Sequence, residues 1–94
     1  MPKKSRLVRP KALTSAQIRG ARGMLRWSAA DLAREAALGL ATIRRAELTE
    51  GETSMTMAND LAVRRALEAA GIEFIDESDG GSGVRLRKTP RKKA

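Results

Sequence analysis

The 94-residue chain has room for one small domain, and a domain of this size buries only roughly 60 to 65% of the surface its unfolded chain exposes, which leaves no volume for a deep active site. It contains no Cys and no His, which excludes disulfides, thiolate or imidazole metal ligands, and imidazole-assisted Ser or Cys nucleophiles. The net charge of +8 belongs to the ends: residues 1–11 carry five cations (Lys3, Lys4, Arg6, Arg9, Lys11) and 85–94 carry six (Arg85, Arg87, Lys88, Arg91, Lys92, Lys93), with no anion in either stretch, whereas 12–84 holds eight cations against eleven anions.

The acids of the body lie at helix ends and in a Gly-rich loop, with nothing in the sequence to desolvate a carboxylate pair for acid and base work. No enzyme, cofactor or metal site is therefore expected. Basic tails of this kind are expected to be disordered arms that neutralise phosphates without reading sequence, the plainer alternative being that they keep a small protein soluble. MPKKSRLVRP has no apolar run behind its charges, and no stretch approaches 18 apolar residues. A cytoplasmic protein with no membrane contact is the expectation.

Along the chain, 1–12 forms the basic N-terminal arm, closed by Pro10. Thr14 with Gln17 three residues on fits a capping box, and Ile18, Ala21 and Leu25 line one face of a first helix running to about Arg26. Gly20 and Gly23 weaken that helix by about 1 kcal/mol each relative to Ala, so close packing is expected there. Ser28 with Asp31 opens a second helix, Ala29 to Ala36, whose inward positions are Leu32, Ala33 and Ala36. Gly39 opens a third, Leu40 to Leu48, which buries Ile43. Two apolar-striped helices joined by so short a turn form a helix-turn-helix, a device that sets one helix in the DNA major groove.

Residues 49–53 form a linker, and a fourth helix is predicted from about Met55 to Ala70, stopped by Gly71 as a C′ glycine. This helix carries two apolar stripes, Val63, Leu67 and Ala70 on one side and Ala58, Leu61, Ala62, Ala66 and Ala69 on another. The second needs cover from the C-terminal segment or from a second subunit. That segment, 72–88, reads as a β-hairpin: Ile72 to Ile75 and Val84 to Arg87 alternate around DESDGGSG. Laying Ile72, Phe74, Val84 and Leu86 on helix four, or pairing with the same hairpin of a partner, would stabilise it, and Glu73 and Asp76 opposite Arg85 and Arg87 would favour its register. Residues 89–94 form a basic tail.

The stretch LTSAQIRGARGMLRWSAADLAREAALGLATIRRAE resembles the lambda-repressor-like (XRE/Cro) helix-turn-helix family, and LAVRRALEAAGIEFIDESDGGSGVRLRK resembles the ending of small bacterial regulators of that family. The resemblance covers about residues 13 to 88. It implies a mainly α fold: a four-helix lambda-repressor-like domain over 13–71 with a C-terminal β-hairpin in place of a fifth helix and disordered basic tails, binding double-stranded operator DNA as a homodimer, a repressor by first expectation. Arg22 and Glu47 match the family's buried ion pair between helices one and three, the plainer alternative being an exposed surface pair.

The reading positions depart from the family pattern. Ala37 stands where Gly is common in the turn, and is strained if φ is positive there; Gly39 stands where Ser or Thr caps the third helix. Ala29 replaces the usual Gln at the start of helix two and can neither hold a phosphate nor brace a neighbour. Leu40 and Ala41 offer only apolar contacts, such as with a thymine methyl, which leaves Arg44 and Arg45 as candidate base readers or phosphate contacts. Thr42 is expected to pack or touch the DNA backbone. Arg26 joins Lys3, Lys4 and Arg6 as a candidate phosphate contact, while Arg19, Arg64 and Arg65 are read as surface residues or intrachain partners of Glu68 and Asp60. The competing functional reading is a protein-interaction module, such as an antitoxin or antiactivator on the same fold; a third is a DNA or RNA coater indifferent to sequence, disfavoured because Trp27 and Phe74 are the only aromatics and both read as core.

Overall fold

The computed structural model describes residues 12–75 and 81–87. The candidate contacts Lys3, Lys4 and Arg6, the pairing of Asp76, and both basic tails beyond these limits lie outside the described residues. Within them the chain runs α1 (Ser15–Leu25), α2 (Ala29–Ala36), α3 (Leu40–Leu48), α4 (Met57–Ala69), β1 (Ile72–Ile75) and β2 (Gly83–Leu86). The architecture is mainly helical, with one two-stranded antiparallel hairpin. No helix among the described residues is long and apolar enough to cross a membrane.

Each helix starts where its polar side chains can satisfy its first amides. The Thr14 hydroxyl accepts from the Gln17 amide at 3.0 Å while the Gln17 side chain accepts from the Thr14 amide at 2.9 Å. Ser28 and Asp31 repeat the exchange at 3.0 and 2.8 Å. Leu13, just ahead of the first cap, and Ile18, four residues into its helix, are both fully buried, the pattern of a hydrophobic staple. Leu13 is not among the expected core residues, although its position before the capping box carries that signal.

Helix four begins at Met57 rather than Met55. Thr56 takes the extended cap conformation and accepts from the Asn59 amide at 3.1 Å, while Met55 packs sideways against the core. At its other end Gly71 has φ +109° and donates to the Glu68 carbonyl at 3.0 Å, the left-handed C′ position expected for it.

Leu13, Ile18, Ala21, Leu32, Ala33, Ala36, Ile43, Ala46, Val63, Leu67 and Ile72 make up one core, drawn from all four helices and β1. Leu25, Trp27 and Phe74 pack against it but stay half-buried, so neither aromatic is a central core residue. Of the second stripe on α4, Ala66 packs on the core and Leu61 and Ala62 are half-buried, whereas Ala58 and Ala69 are exposed.

The hairpin pairs Ile72 with Leu86, Glu73 with Arg85, Phe74 with Val84 and Ile75 with Gly83. Its second strand thus begins and ends one residue earlier than expected. It does not rest on α4 alone: β1 lies along α4, but β2 lies along α1. Val84 meets α1 at Gly20, where a Cβ would stand 3.4 Å from the valine Cγ2, a close but ordinary contact. Gln17 adds a polar tie, donating to the Gly83 carbonyl at 3.0 Å. Gly23, in contrast, has nothing within 4 Å of its Cβ position, so the close packing expected at both glycines occurs only at Gly20. On the outer face Glu73 and Arg85 pair at 2.9 Å, and Arg64 of α4 lies 4.6 Å from the centre of the Phe74 ring while pairing with Glu68 at 3.6 Å.

Ahead of α1 the chain is fastened to the linker that follows α3. The Thr53 amide donates to the Leu13 carbonyl and the Ser15 amide to the Gly51 carbonyl, both at 2.9 Å. The Thr53 hydroxyl donates to the buried Asp60 carboxylate at 2.8 Å, and of the arginines expected near Asp60 it is Arg64 whose charge bears on that carboxylate. Burial pushes the Asp60 carboxyl above its ordinary value, against the opposing hydrogen bonds from Thr53 and the Leu13 amide.

Gly23→Ala, at an uncrowded helical position, should raise stability by about 0.5 to 1 kcal/mol in urea unfolding. Because folding favours protonated Asp60, that carboxyl's contribution is fully present below its unfolded value and is lost as pH rises through its higher folded value. Asp60→Asn, which removes the titrating group but keeps an oxygen to accept from Thr53, should flatten the stability profile as pH rises above about 4, the ordinary carboxyl value, and match or exceed the wild type at neutral pH. A variant markedly weaker at neutral pH would mean that the carboxylate's charge is stabilising.

Candidate functional site

Helix three is short, opens at Gly39 without a side-chain cap, and buries only Ile43, Ala46 and Glu47. Such a helix is not stable by itself. Its carboxyl-terminal half is fastened to α1 at three points. Arg22 grips Glu47 with two parallel bonds, Nε to Oε2 at 2.6 Å and Nη2 to Oε1 at 2.8 Å. Its remaining amine donates to the Trp27 carbonyl at 2.8 Å, which ties the entry to α2 into the same group. Arg19 donates to the Glu47 carbonyl at 2.7 Å, and the Ser15 hydroxyl donates to the Ala46 carbonyl and touches the Thr49 hydroxyl at 2.6 Å. Side chains of α1 thus satisfy carbonyls that the end of α3 leaves without intrahelical partners.

The Arg22 and Glu47 side chains are 22% and 9% exposed, so the surface-pair alternative does not hold. The bidentate hydrogen bond to Glu47 raises the Arg22 guanidinium above its ordinary value despite its burial. Arg19, expected at the surface, is exposed but also serves this joint; Ser15 is buried and escapes a reading of the sequence, since one Ser in a first turn carries no signal of its own.

With one side of α3 anchored, the other is left to solvent. Leu40, Ala41, Arg44, Arg45 and Leu48 are exposed and share that side at helical spacing, while Thr42 is half-buried. Among the described residues, Arg44 and Arg45 make no hydrogen bond or ion pair. The only acid within α3 is Glu47, turned inward to Arg22. The face is therefore cationic at its middle and apolar at both ends. Leu48 is 81% exposed, and it is not among the expected site residues because a Leu closing an amphipathic helix reads as core.

The turn before α3 holds Ala37 at φ 59°, ψ 42°, the left-handed region, where a Cβ is strained. Its amide and that of Leu38 donate to the Arg34 and Ala33 carbonyls at 3.2 and 2.9 Å, closing α2 tightly enough for α3 to start three residues later. Arg26 ends α1 in the same conformation, at φ 60°, and is exposed just ahead of α2.

The start of α2 is occupied by its own carboxylate. Asp31 accepts from the Ser28 amide and from Arg34 at 3.1 Å; these bonds, the amide first, hold its carboxyl below the ordinary range. Ala29 is half-buried against the core. A different pair of elements offers anion-binding groups: Arg45 and Thr42 of α3 share a cleft of about 190 Å³ with Ser54, Met55, Thr56 and Asn59 at the start of α4, where Thr56 takes the Asn59 amide and the amides of Met57 and Ala58 lack intrahelical acceptors. The sequence gives no sign of this cleft because it depends on the path of the linker 49–56. Among the described residues there is no cluster of groups able to hold a metal ion.

Comparison with protein-family models, with curated proteins and with solved structures finds no match for this chain.

Glu47→Ala strands a largely buried guanidinium at the joint between α1 and α3 and should cost about 3 kcal/mol in urea unfolding, whereas Leu48→Ala, one residue on but exposed, should stay within about 0.5 kcal/mol of the wild type. Equal effects would contradict the anchoring role of the pair.

Proposed function

We propose that the chain is a sequence-specific DNA-binding regulator in which α2, the turn 37–39 and α3 act as a helix-turn-helix, with α3 entering the major groove of double-stranded DNA. The observation that carries this reading is the α3 face: two arginines without intrachain partners among the described residues, on a helix whose opposite side is bolted to the scaffold. A bidentate arginine on guanine O6 and N7 contributes about 1 to 3 kcal/mol of discrimination, but only if the helix holding it is rigid. Arg26, exposed ahead of α2, and the cleft of Arg45 with Thr56 and Asn59 are suited to phosphates on either side of the groove. The start of α2 is not, since Asp31 already fills it.

The basic arms 1–12 and 89–94 supply further phosphate contacts in this reading, Lys3, Lys4 and Arg6 among them. A second copy doubles the site, placing two α3 helices in successive major grooves about 34 Å apart. The chain then acts as a homodimer on a palindromic operator, in the manner of the repressors of the lambda-repressor-like family.

A protein-interaction module is the second reading, favoured by the apolar ends of the α3 face and by Met57, Ala58 and Ala69 exposed along α4. Solution mass separates the two in part: a stable homodimer covers such a face, whereas a monomer leaves it for another protein.

Selection of bound duplexes from a random pool tests the first reading directly, a palindrome being the expected result and absence of enrichment the result that rejects it. On the selected site Arg44→Ala should reduce affinity about 5- to 100-fold while hardly changing binding to random duplex. Deleting residues 1–11 should weaken both and make binding less sensitive to salt, with the log–log slope shallower by about 0.9 for each phosphate that the arm no longer neutralises.

A further inference from the structure

The most exposed large apolar side chain among the described residues is not on α4 or the hairpin but on α3. Leu48 is 81% exposed, against 47% for Met57 and 43% for Leu86. A single exposed Leu needs no explanation in general. This one lies on the side shared by Ala41, Arg44 and Arg45, one helical turn beyond the arginines. The groove beside it is lined by Thr14, Ala16, Arg19, Glu50 and Ser82 among others, so that among the described residues Ala16 is the sole apolar side chain there to meet it. An apolar protein helix would find little area to bury in that groove. The unpaired arginines suit a polyanion instead.

Resting on the DNA-binding reading, we infer that Leu48 is a base-contacting residue which, with Leu40 and Ala41 at the other end of the face, selects thymine methyl groups on both sides of a guanine held by Arg44 or Arg45. The dimensions agree. From residues 40 and 41 to residue 48 the helix rises roughly 10 to 12 Å at 1.5 Å per residue, which for a helix aligned with the DNA axis is close to three base-pair steps of about 3.4 Å. The arginines fall midway along that rise. In the major groove the C5-methyl of thymine is the one apolar group a base pair presents, and Ala or Leu can contact it without leaving a polar atom unpaired. Each half-site should then carry thymines about three base pairs apart with a guanine between them.

The test uses the full chain and the duplex selected from a random pool. Each thymine of the half-site is replaced singly by uracil, which removes only the methyl group, and affinity is measured for the wild type and for Leu48→Ala. At the thymine facing the end of α3, uracil should weaken wild-type binding about fourfold, the value of one buried methyl. On Leu48→Ala the same replacement should have no effect, and Leu48→Ala on the thymine duplex should show a loss of at least that size. Thermal unfolding of the variant should be unchanged. If the pool yields a site but uracil is silent at every position, or its effect persists undiminished in Leu48→Ala, the inference fails while the DNA-binding reading stands. If Leu48→Ala instead dissociates a dimer in solution with uracil silent, the residue belongs to a contact between copies and the inference is overturned. If no duplex is enriched, the DNA-binding reading fails and the inference with it.

Discussion

The two-pronged bond between Arg22 and Glu47 is the constraint on which the candidate site depends. A nine-residue helix without a side-chain cap lies well below the length at which helices persist in water. What keeps α3 in place is tertiary: Ile43 and Ala46 in the core, and the α1 side chains Ser15, Arg19 and Arg22 on the groups of Ala46 and Glu47. Because Arg22 also reaches the Trp27 carbonyl, one guanidinium sets the end of α3 relative to both α1 and the entry to α2. An ion pair of this kind adds little net stability compared with an apolar pair of the same shape. Its planar fork instead fixes an orientation, which a surface meant to match a partner requires.

The same joint sorts the charges of α3. By drawing Glu47 inward it removes the helix's one acid from the outer face and leaves Arg44 and Arg45 unopposed. Along α2 the opposite happens, since Asp31 stays at the helix start, capping Ser28 and holding Arg34. The amino-terminal end of α2 thereby becomes self-sufficient, and the groups left for an anion shift to Arg45 and the start of α4. The stretch 12–84 is slightly acidic overall, yet its exposed α3 face is not; placement outweighs net charge.

Among the described residues, two accept left-handed backbone without being glycine, Arg26 and Ala37, and they flank α2 at its two ends. Each costs roughly 1 to 2 kcal/mol of strain. Both corners are closed by paired amides, so the strain is sustained by hydrogen bonds and by Leu32, Ala33 and Ala36 in the core. The hairpin plays a comparable structural part at the far side. Val84 over Gly20 and Ile72 in the core let eight strand residues cover both α1 and α4, which is how the thin core of the described residues is closed.

Local chemistry alone is enough to read the element order, because capping boxes, helical apolar stripes, the C′ glycine and alternating strand residues act over three or four positions. The limits of α2, α3 and β1 are legible in that way, whereas the strain at Ala37 and the match of Arg22 with Glu47, 25 residues apart, are expectations that only the family resemblance supplies. Other features depend on where distant segments meet. Whether the Arg22 pair is buried, that β2 rests on α1, that Asp60 serves Thr53, that Met55 packs inward and Thr56 starts α4, and that Arg45 shares a cleft with the start of α4 follow from the path of the linker between helices three and four. The high exposure of Leu48 belongs with these. Helical spacing sets which residues share a side of α3, but only packing of α1 against the opposite side decides which of those sides is left open to a partner.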